Sequence, residues 1–549
     1  MEQHPWLSHY PSYISWDQDI PHKTLPQALD DSVNDFPHRT CIDFLGKQMS
    51  YKHIGEQVTA MSAGLQGIGL KKGERVALLL PNCPLYIIAY YAVLKAGGVV
   101  VNCNPLYAEN FIANEINDAE AKFLITININ VLYSKAYAVL QKTTLEKLLV
   151  GTMQSMLPFP KNILFPIVKK HEVATLHVSE KIIKLNSILT SSRHFRPVEI
   201  NDSDDIAVLQ FTGGTTGIPK AAMLTHRNLF ANAYQCACWL GRDRRGKDIM
   251  MGVLPFFHAF ANTAVMNLSI LNAVTIVAHP RFDLRMLVKD IVKKRPTLMP
   301  GVPSMFVALN HVRDVRKYDF TSLELCISGG APLPLEVKQA FEALTGCVLV
   351  EGYGLTEASP LVSCNPLYSE GKSGTIGMPF VQTEVLIEDM ENRGTFLPVG
   401  GVGELCVRGP QVMKGYWRHD DETKLVLWDN ILRTGDIAMI DHDGYITIKD
   451  RLKEMIISGG YNIYPRAIEE IMYQHPSIKE AAVIGIDDEY RGQAVKLFVA
   501  LKEGQTLTEE GIKDYLKDKV AKFEMPKDIV FRESLPKTLI GKIAKKELK

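Results

Sequence analysis

At 549 residues the chain exceeds what one hydrophobic core supports, and at roughly 100–200 residues per domain about three to four structural units are expected. Its 46% hydrophobic and 22% charged residues are those of an ordinary globular protein, and Lys plus Arg balances Asp plus Glu at 61 each, which argues against a polyanionic partner such as nucleic acid. The nine cysteines are scattered and never spaced as CxxC, which argues against a zinc site or a disulfide framework and fits a reducing cytoplasm.

The opening "MEQHPWLSHYPSYISWDQDIP" lacks a basic-then-apolar run, so no signal peptide is expected. Short β-branched runs at 76–80, 99–101, 206–209 and 274–277 alternate with longer helical stretches, the signature of α/β layering. The most hydrophobic window, Leu85 to Val101, is broken by Lys95 and Gly97-Gly98 and reads as a buried helix followed by a strand, not a membrane span. In "MLPFPKNILFPIVKKHE" (156–172) large apolar residues alternate with prolines and end on Lys169-Lys170. Two readings stand open there: a segment that dips into a membrane surface, or one that packs on the body of the protein.

The run 206–209 leads into "TGGTTGIPK", Thr212 to Lys220. Consecutive Gly and Thr let several N–H groups face one concavity, the hydroxyls of Thr212, Thr215 and Thr216 add donors, and Lys220 adds charge, as a phosphate-holding nest requires. It is not a Walker A loop, because Gly217 is followed by Ile-Pro-Lys. Thr225 caps the next helix. Further on, Pro334 stands at a helix start, Val337, Ala340, Phe341 and Leu344 repeat at helical spacing, and Gly346 ends the element. The strand "CVLV" runs directly into "EGYGLTE", and loops at strand C-terminal ends are where such sheets bind ligands. From Gly394 short strands with Gly turns suggest a small β-rich subdomain, and after "DRLKEMIISGG" a fresh α/β pattern begins, placing a boundary near Lys453.

The stretch "FTGGTTGIPKAAMLTHRNL" resembles the phosphate-loop signature of the adenylate-forming superfamily. Six more signatures follow in that superfamily's order: "PFFHAFA" (255–261), "SGGAPLP" (328–334), "EGYGLTEASP" (351–360), "LRTGDIA" (432–438), "DRLKEMIISGGYNIYP" (450–465) and "LPKTLIGKI" (535–543). Seven in order, over nearly the whole chain, are far more specific than any one. Gly213, where many relatives have Ser, and the run "EGYGLTEASPLVSCNP" make the chain most similar to long-chain fatty-acid–CoA ligases.

The resemblance implies an α/β fold: an N-terminal AMP-binding domain over 1–452, made of two α/β layered subdomains and a small β-rich subdomain, and a small mobile α+β domain over 453–549. It implies ATP-dependent activation of a fatty acid to acyl-AMP and transfer to CoA, with Mg²⁺ as cofactor. Thr212, Gly213, Gly214, Thr215, Thr216, Gly217 and Lys220, with Thr356, are expected on phosphate. Gly352 and Tyr353 belong to the nucleotide pocket, Tyr353 suited to stack on adenine, with Gly330 and Ala331 of the "GGAP" turn as an adenine wall. Glu357 is expected to hold Mg²⁺, which needs few protein carboxylates. Asp436, read as a carboxylate in a tight turn, is expected on the ribose hydroxyls, and Arg451 on ribose or phosphate. His258 is expected to orient the carboxylate, Lys542 to neutralise charge during adenylation, Lys453 to act as a hinge, and Gly459 and Gly460 to leave a passage for pantetheine. Some thermophilic relatives have a gating Trp four residues after that histidine; here the position is Asn262, which leaves tunnel gating open. A cytoplasmic location, contact with the inner face of a membrane, and a homodimer complete the expectations. An aryl- or medium-chain ligase, a carrier-dependent acyl-AMP ligase, and a non-catalytic acyl- or nucleotide-binding protein remain as alternatives.

Overall fold

Strands buried on both faces organise the first two-thirds of the chain. The computed structural model describes residues 4–177, 179–190, 194–212, 219–241, 244–369, 371–458, 461–488, 490–537 and 543–548. A seven-stranded sheet runs in the spatial order Ile182–Lys184, Lys147–Gly151, Phe123–Ile127, Arg75–Leu78, Val99–Asn102, Ile206–Thr212 (β1) and Lys220–Thr225 (β2). All its pairings are parallel except the β1–β2 hairpin. The strand Val99–Asn102 is buried at every position, as a parallel strand covered on both faces must be. The helix Pro84–Lys95 (α1) carries apolar residues all round and is buried from Pro84 to Leu94, so it is a core element, as its sequence predicts. Its terminal Lys95 reaches the surface and pairs with Asp30 at 2.6 Å. The helix Lys161–Val168 (α2) is the opposite case, with no buried residue.

A second sheet of nine strands packs beside the first and contributes to one continuous core with it. Its parallel centre includes Leu298–Gly301, Leu325–Ser328 and Val348–Gly354 (β3). The helix His226–Trp239 (α3) leaves β2 through a capping box in which Thr225 and Asn228 bond each other's backbone N–H. The helix Leu335–Thr345 (α4) starts after Pro334 and ends on Gly346 at φ 73°, as the sequence predicts.

The β-rich part begins at Glu384–Glu388, upstream of the Gly394 break in texture, because that strand pairs along its length with Val402–Arg408. Ile431–Ile440 (β4) and Ile446–Arg451 (β5) complete its antiparallel sheet with Leu427–Trp428. After β5 a separate five-stranded sheet is covered by the helices Pro465–Tyr473 (α5) and Glu509–Leu516. Its two apolar clusters draw only on residues from Ala482 or Ile456 onward. The architecture is therefore the expected large α/β region with a β-rich part, followed by a smaller α+β region. All nine cysteines are free, and no helix of the described residues is long and apolar enough to cross a membrane.

One core carboxyl is uncompensated. Glu115, on the helix Glu109–Asp118, is 4% exposed and its Oε2 has no hydrogen-bond partner. Burial pushes its carboxyl up to about 8. A carboxyl raised on folding stabilises fully below its unfolded value and loses that contribution as pH rises through the folded one. Glu115→Gln is expected to raise Tm by about 2–4 °C near pH 9 and to leave it unchanged near pH 5. A thermal-melt series showing equal shifts at both pH values would contradict this account.

Candidate active site

Three groups of described residues come together at the C-terminal ends of the two large sheets. The first belongs to the β1–β2 hairpin, whose last paired residues are Thr212 and Lys220. The predicted site residues Gly213, Gly214, Thr215, Thr216 and Gly217 between them lie outside the described residues. Lys220 Nζ stands 3.7 Å from Glu422 Oε1 and 5.5 Å from the centre of the Tyr416 ring.

The second group lies where the chain leaves β3. The strand ends at Gly354, where the register against Leu361–Cys364 shifts, and a 3₁₀ turn over Thr356–Ala358 follows. Leu355 N–H closes the loop onto the carbonyl of Pro360 at 2.9 Å. A side chain at Gly354 would place Cβ 2.0 Å from that same carbonyl oxygen, so the turn needs glycine. The turn presents Thr356 and Glu357, both half-buried. The Tyr416 hydroxyl donates to Glu357 Oε1 at 2.8 Å, and the Met413 N–H donates to the Glu357 carbonyl at 2.8 Å. Burial, and then the Glu357 charge, raise the Tyr416 phenol far above its ordinary value, so it remains a donor. Sequence reasoning missed Tyr416: nothing local distinguishes it, and its partner is remote in the chain.

The third group joins β3 to the β-rich sheet. The Tyr353 hydroxyl donates to Asp436 Oδ2 at 2.5 Å, and Arg451 Nε lies 3.3 Å from Asp436 Oδ1. Asp436 and Arg451 are directly opposed on β4 and β5. The expectation of a tight turn at Asp436 is corrected: the residue lies inside a ten-residue strand. What looked like turn chemistry is an irregularity in register against Val402–Arg408, beside Gly435 at φ 75°. Both Asp436 oxygens are engaged, yet a carboxylate offers about four acceptor positions, which leaves room for further donors. Burial, followed by the Asp436 charge, raises the Tyr353 phenol.

His258 caps the short helix Ala259–Ala261, its Nδ1 accepting the Phe260 N–H at 3.3 Å. A buried polar chain holds the preceding residue. Tyr86 on α1 donates to Asn102 Oδ1 (2.6 Å), Asn102 Nδ2 to Gln210 Oε1 (2.9 Å), and Gln210 Nε2 to the Phe257 carbonyl (3.0 Å). These residues also escaped sequence reasoning; a glutamine inside the apolar run of β1 was the available signal. Asn262 opens a π-helix over Asn262–Asn267 and is 2% exposed, accepting from Tyr90 (3.0 Å) and Asn267 (3.1 Å).

Gly330 is exposed at φ 81° in the turn before α4, and Ala331 beside it is half-buried. Gly352 backs onto a small apolar cavity whose walls include Cys236, Trp239, Ala264, Leu268 and Ile327. Lys453 is an exposed residue of the turn after β5, in which Glu454 and Met455 N–H groups return to the Arg451 carbonyl at 2.9 and 3.0 Å. Next to it the buried Asp450 accepts the N–H of Arg451 (2.7 Å) and of Arg466 in α5 (2.8 Å), and burial pushes it up to about 6. Gly459 and Gly460 lie outside the described residues, between the paired strands Ile456–Ser458 and Tyr461–Ile463. Lys542 lies outside them too. Its flanks are anchored: Lys537 pairs with Ile543, the Leu535 N–H donates to Glu480 (2.9 Å), and Lys545 bridges Glu454 (3.1 Å) and Glu469 (2.8 Å).

Among the described residues no three His, Cys, Asp or Glu side chains cluster as a metal-holding group. Glu357, with one oxygen held by Tyr416, suits a cation that completes its shell with phosphate oxygens and water.

The family model of AMP-binding enzymes matches residues 29–417, and the AMP-binding enzyme C-terminal domain matches 467–542. A long-chain-fatty-acid–CoA ligase of Bacillus subtilis (strain 168) is 42% identical over 555 residues, covering 100% of this chain and 98% of that protein. One of Escherichia coli O6:H1 is 36% identical over 555 residues, covering 99% and 97%. Among solved structures, ATP-bound MatB from Rhodopseudomonas palustris superposes with a TM-score of 0.83 at 27% identity, covering 96% of this chain and 98% of that one.

Gly354→Ala is expected to cost about 2–4 kcal/mol, because the added methyl meets backbone and not a movable side chain. Urea denaturation measures it; a cost below about 1 kcal/mol would show that the loop carrying Thr356 and Glu357 yields easily.

Proposed function

The chain belongs to the AMP-binding enzyme family, and from that premise we propose how its own residues carry out ATP-dependent activation of a long-chain fatty acid and its transfer to CoA. The observation that carries the reading is the meeting of Thr212 and Lys220, Thr356 and Glu357, and Tyr353, Asp436 and Arg451 at one end of the two sheets.

A carboxylate resists thiol attack because it is anionic and has no good leaving group. In the first step a carboxylate oxygen bonds to the α-phosphorus of ATP while the bond from that phosphorus to pyrophosphate breaks, leaving acyl-AMP. In the second step the CoA sulfur bonds to the acyl carbon, AMP departs with the former carboxylate oxygen, and the thiol proton passes to solvent. The first step needs positioning and charge neutralisation more than covalent help from the protein. We assign phosphate binding to Thr212 through Gly217 with Lys220 and Thr356. Tyr353 stacks on adenine against the Gly330-Ala331 turn and Gly352, and Asp436, already oriented by Tyr353 and Arg451, takes the ribose hydroxyls. Mg²⁺ bound at Glu357 would neutralise charge on the phosphates. His258 orients the incoming carboxylate. Lys542 neutralises charge as the anhydride forms. The 1–452 and 453–549 parts act as separate bodies that pivot at Lys453, bringing Gly459 and Gly460 toward the thiol; their separate apolar clusters support this. We also place the working enzyme at a membrane surface, where its substrate partitions.

Purified protein with ATP, Mg²⁺ and CoA is expected to release AMP with a maximum among long-chain acids. Lys542→Ala should slow adenylation by about 10²–10³-fold, and Asp436→Ala should raise KM for ATP more than it lowers kcat. A maximum at short or aromatic acids would overturn the substrate reading and keep the mechanism. AMP release unaffected by Lys542→Ala would overturn the catalytic assignment.

A further inference from the structure

The helix α2 is seated firmly and yet shows its apolar side to solvent. Beneath the segment, Met153, Met156 and Leu157 are buried, and Phe165 packs on the main core. Lys47 Nζ donates to the Ser155 carbonyl at 2.5 Å and Lys161 Nζ to the Leu45 carbonyl at 3.2 Å. Above it, Phe159 is 78%, Ile163 56%, Leu164 48%, Ile167 68% and Val168 66% exposed. No other stretch of similar length among the described residues exposes so many large apolar side chains. Scattered exposed apolar residues need no explanation, but Phe159 with four residues of the helix that follows it makes a contiguous set, which does.

The charges around the set are mostly positive. Lys161, Lys169 and Lys170 flank it, against the single acid Glu172, which is already paired with Lys169 at 2.6 Å. The Arg281 charge acts on Glu172 as well, so a further cation borders the same edge. We propose that α2, with Lys161, Lys169 and Lys170, is a docking surface for an anionic lipid bilayer, the five apolar side chains entering the headgroup–acyl boundary while the lysines meet lipid phosphates. An amphipathic element of this kind lies in the interface plane with its apolar face about 5–10 Å deep. A second copy of this chain is a poorer occupant, because a two-fold contact through the patch would set lysines against lysines. The inference rests on the acyl-CoA ligase reading only in supplying a reason for the contact: an acid dissolved in the bilayer reaches the enzyme without crossing water.

The full-length protein is to be sedimented with phosphatidylcholine vesicles, with and without phosphatidylglycerol. It is expected to bind the anionic vesicles more strongly, with binding that weakens as salt rises. Ile163→Asp/Ile167→Asp and, separately, Lys169→Ala/Lys170→Ala should each reduce that binding about tenfold or more. Octanoate-dependent ATP–pyrophosphate exchange should be unchanged in both, which also shows that the variants fold. Absence of vesicle binding by the unaltered chain, or binding indifferent to both double substitutions, would overturn the proposal. So would light scattering that shows a dimer converted to monomer by Ile163→Asp/Ile167→Asp, since the face would then belong to a second copy. Vesicle binding without any exchange would instead sink the ligase reading and leave the surface standing.

Discussion

The site depends on a short backbone seam between residues 413–417 and the strand β2. Met223 N–H donates to the Gly415 carbonyl (2.8 Å), Lys414 N–H to Met223 (3.0 Å) and Trp417 N–H to Ala221 (2.8 Å). The seam draws the chain leaving the β-rich sheet against the edge of the first α/β sheet. It sets Tyr416 between Lys220 and Glu357, and hence a cation and an anion on either side of one phenol. Gly415 permits it, at φ 140° and with Thr423 Cγ2 only 2.8 Å from where a Cβ would stand. The seam thus holds the edge strand β2 and the turn after β3 to one common neighbour.

A second constraint lies in the core. Polar side chains placed between two sheets must be fully paired or they cost more than they stabilise. Tyr86, Asn102 and Gln210 meet this by forming a single directed chain that ends on the backbone beside His258. Tyr91 and Tyr90 do the same toward Asn267 and Asn262 in the π-helix. Both chains tie α1 to the second sheet, so the turn that carries His258 is referenced to the first subdomain as well as to its own. A π-helix at such a place is the usual mark of geometry kept for a site. Beside Arg451, Asp450 plays a comparable part, its one carboxylate accepting from β5 and from the first turn of α5.

The fold was largely legible because its elements announce themselves locally. The all-round apolar α1, the Thr225 cap and the Pro334–Gly346 bounds of α4 fall where the sequence puts them. The start of the β-rich part did not, because Glu384–Glu388 is a strand only by virtue of its partner Val402–Arg408. Asp436 misled for a related reason: Thr-Gly-Asp has the chemistry of a turn, and only pairing across to Arg451 makes it strand.

By itself the sequence determined the class of fold, the order of the chemistry-bearing segments and the residue types each brings, since periodicity, caps and glycine-rich turns are properties of neighbours along the chain. Tertiary structure alone decided which groups face one another: Tyr353 on Asp436, Tyr416 on Glu357, Gln210 on the backbone before His258. It also decided that Met156 and Leu157 pack inward while α2, next along the chain, keeps no residue buried and turns its apolar side outward. The reason is the same in each case. A hydrogen bond or a burial is fixed by distance in space, and these partners stand far apart along the chain, joined only when the sheets pack.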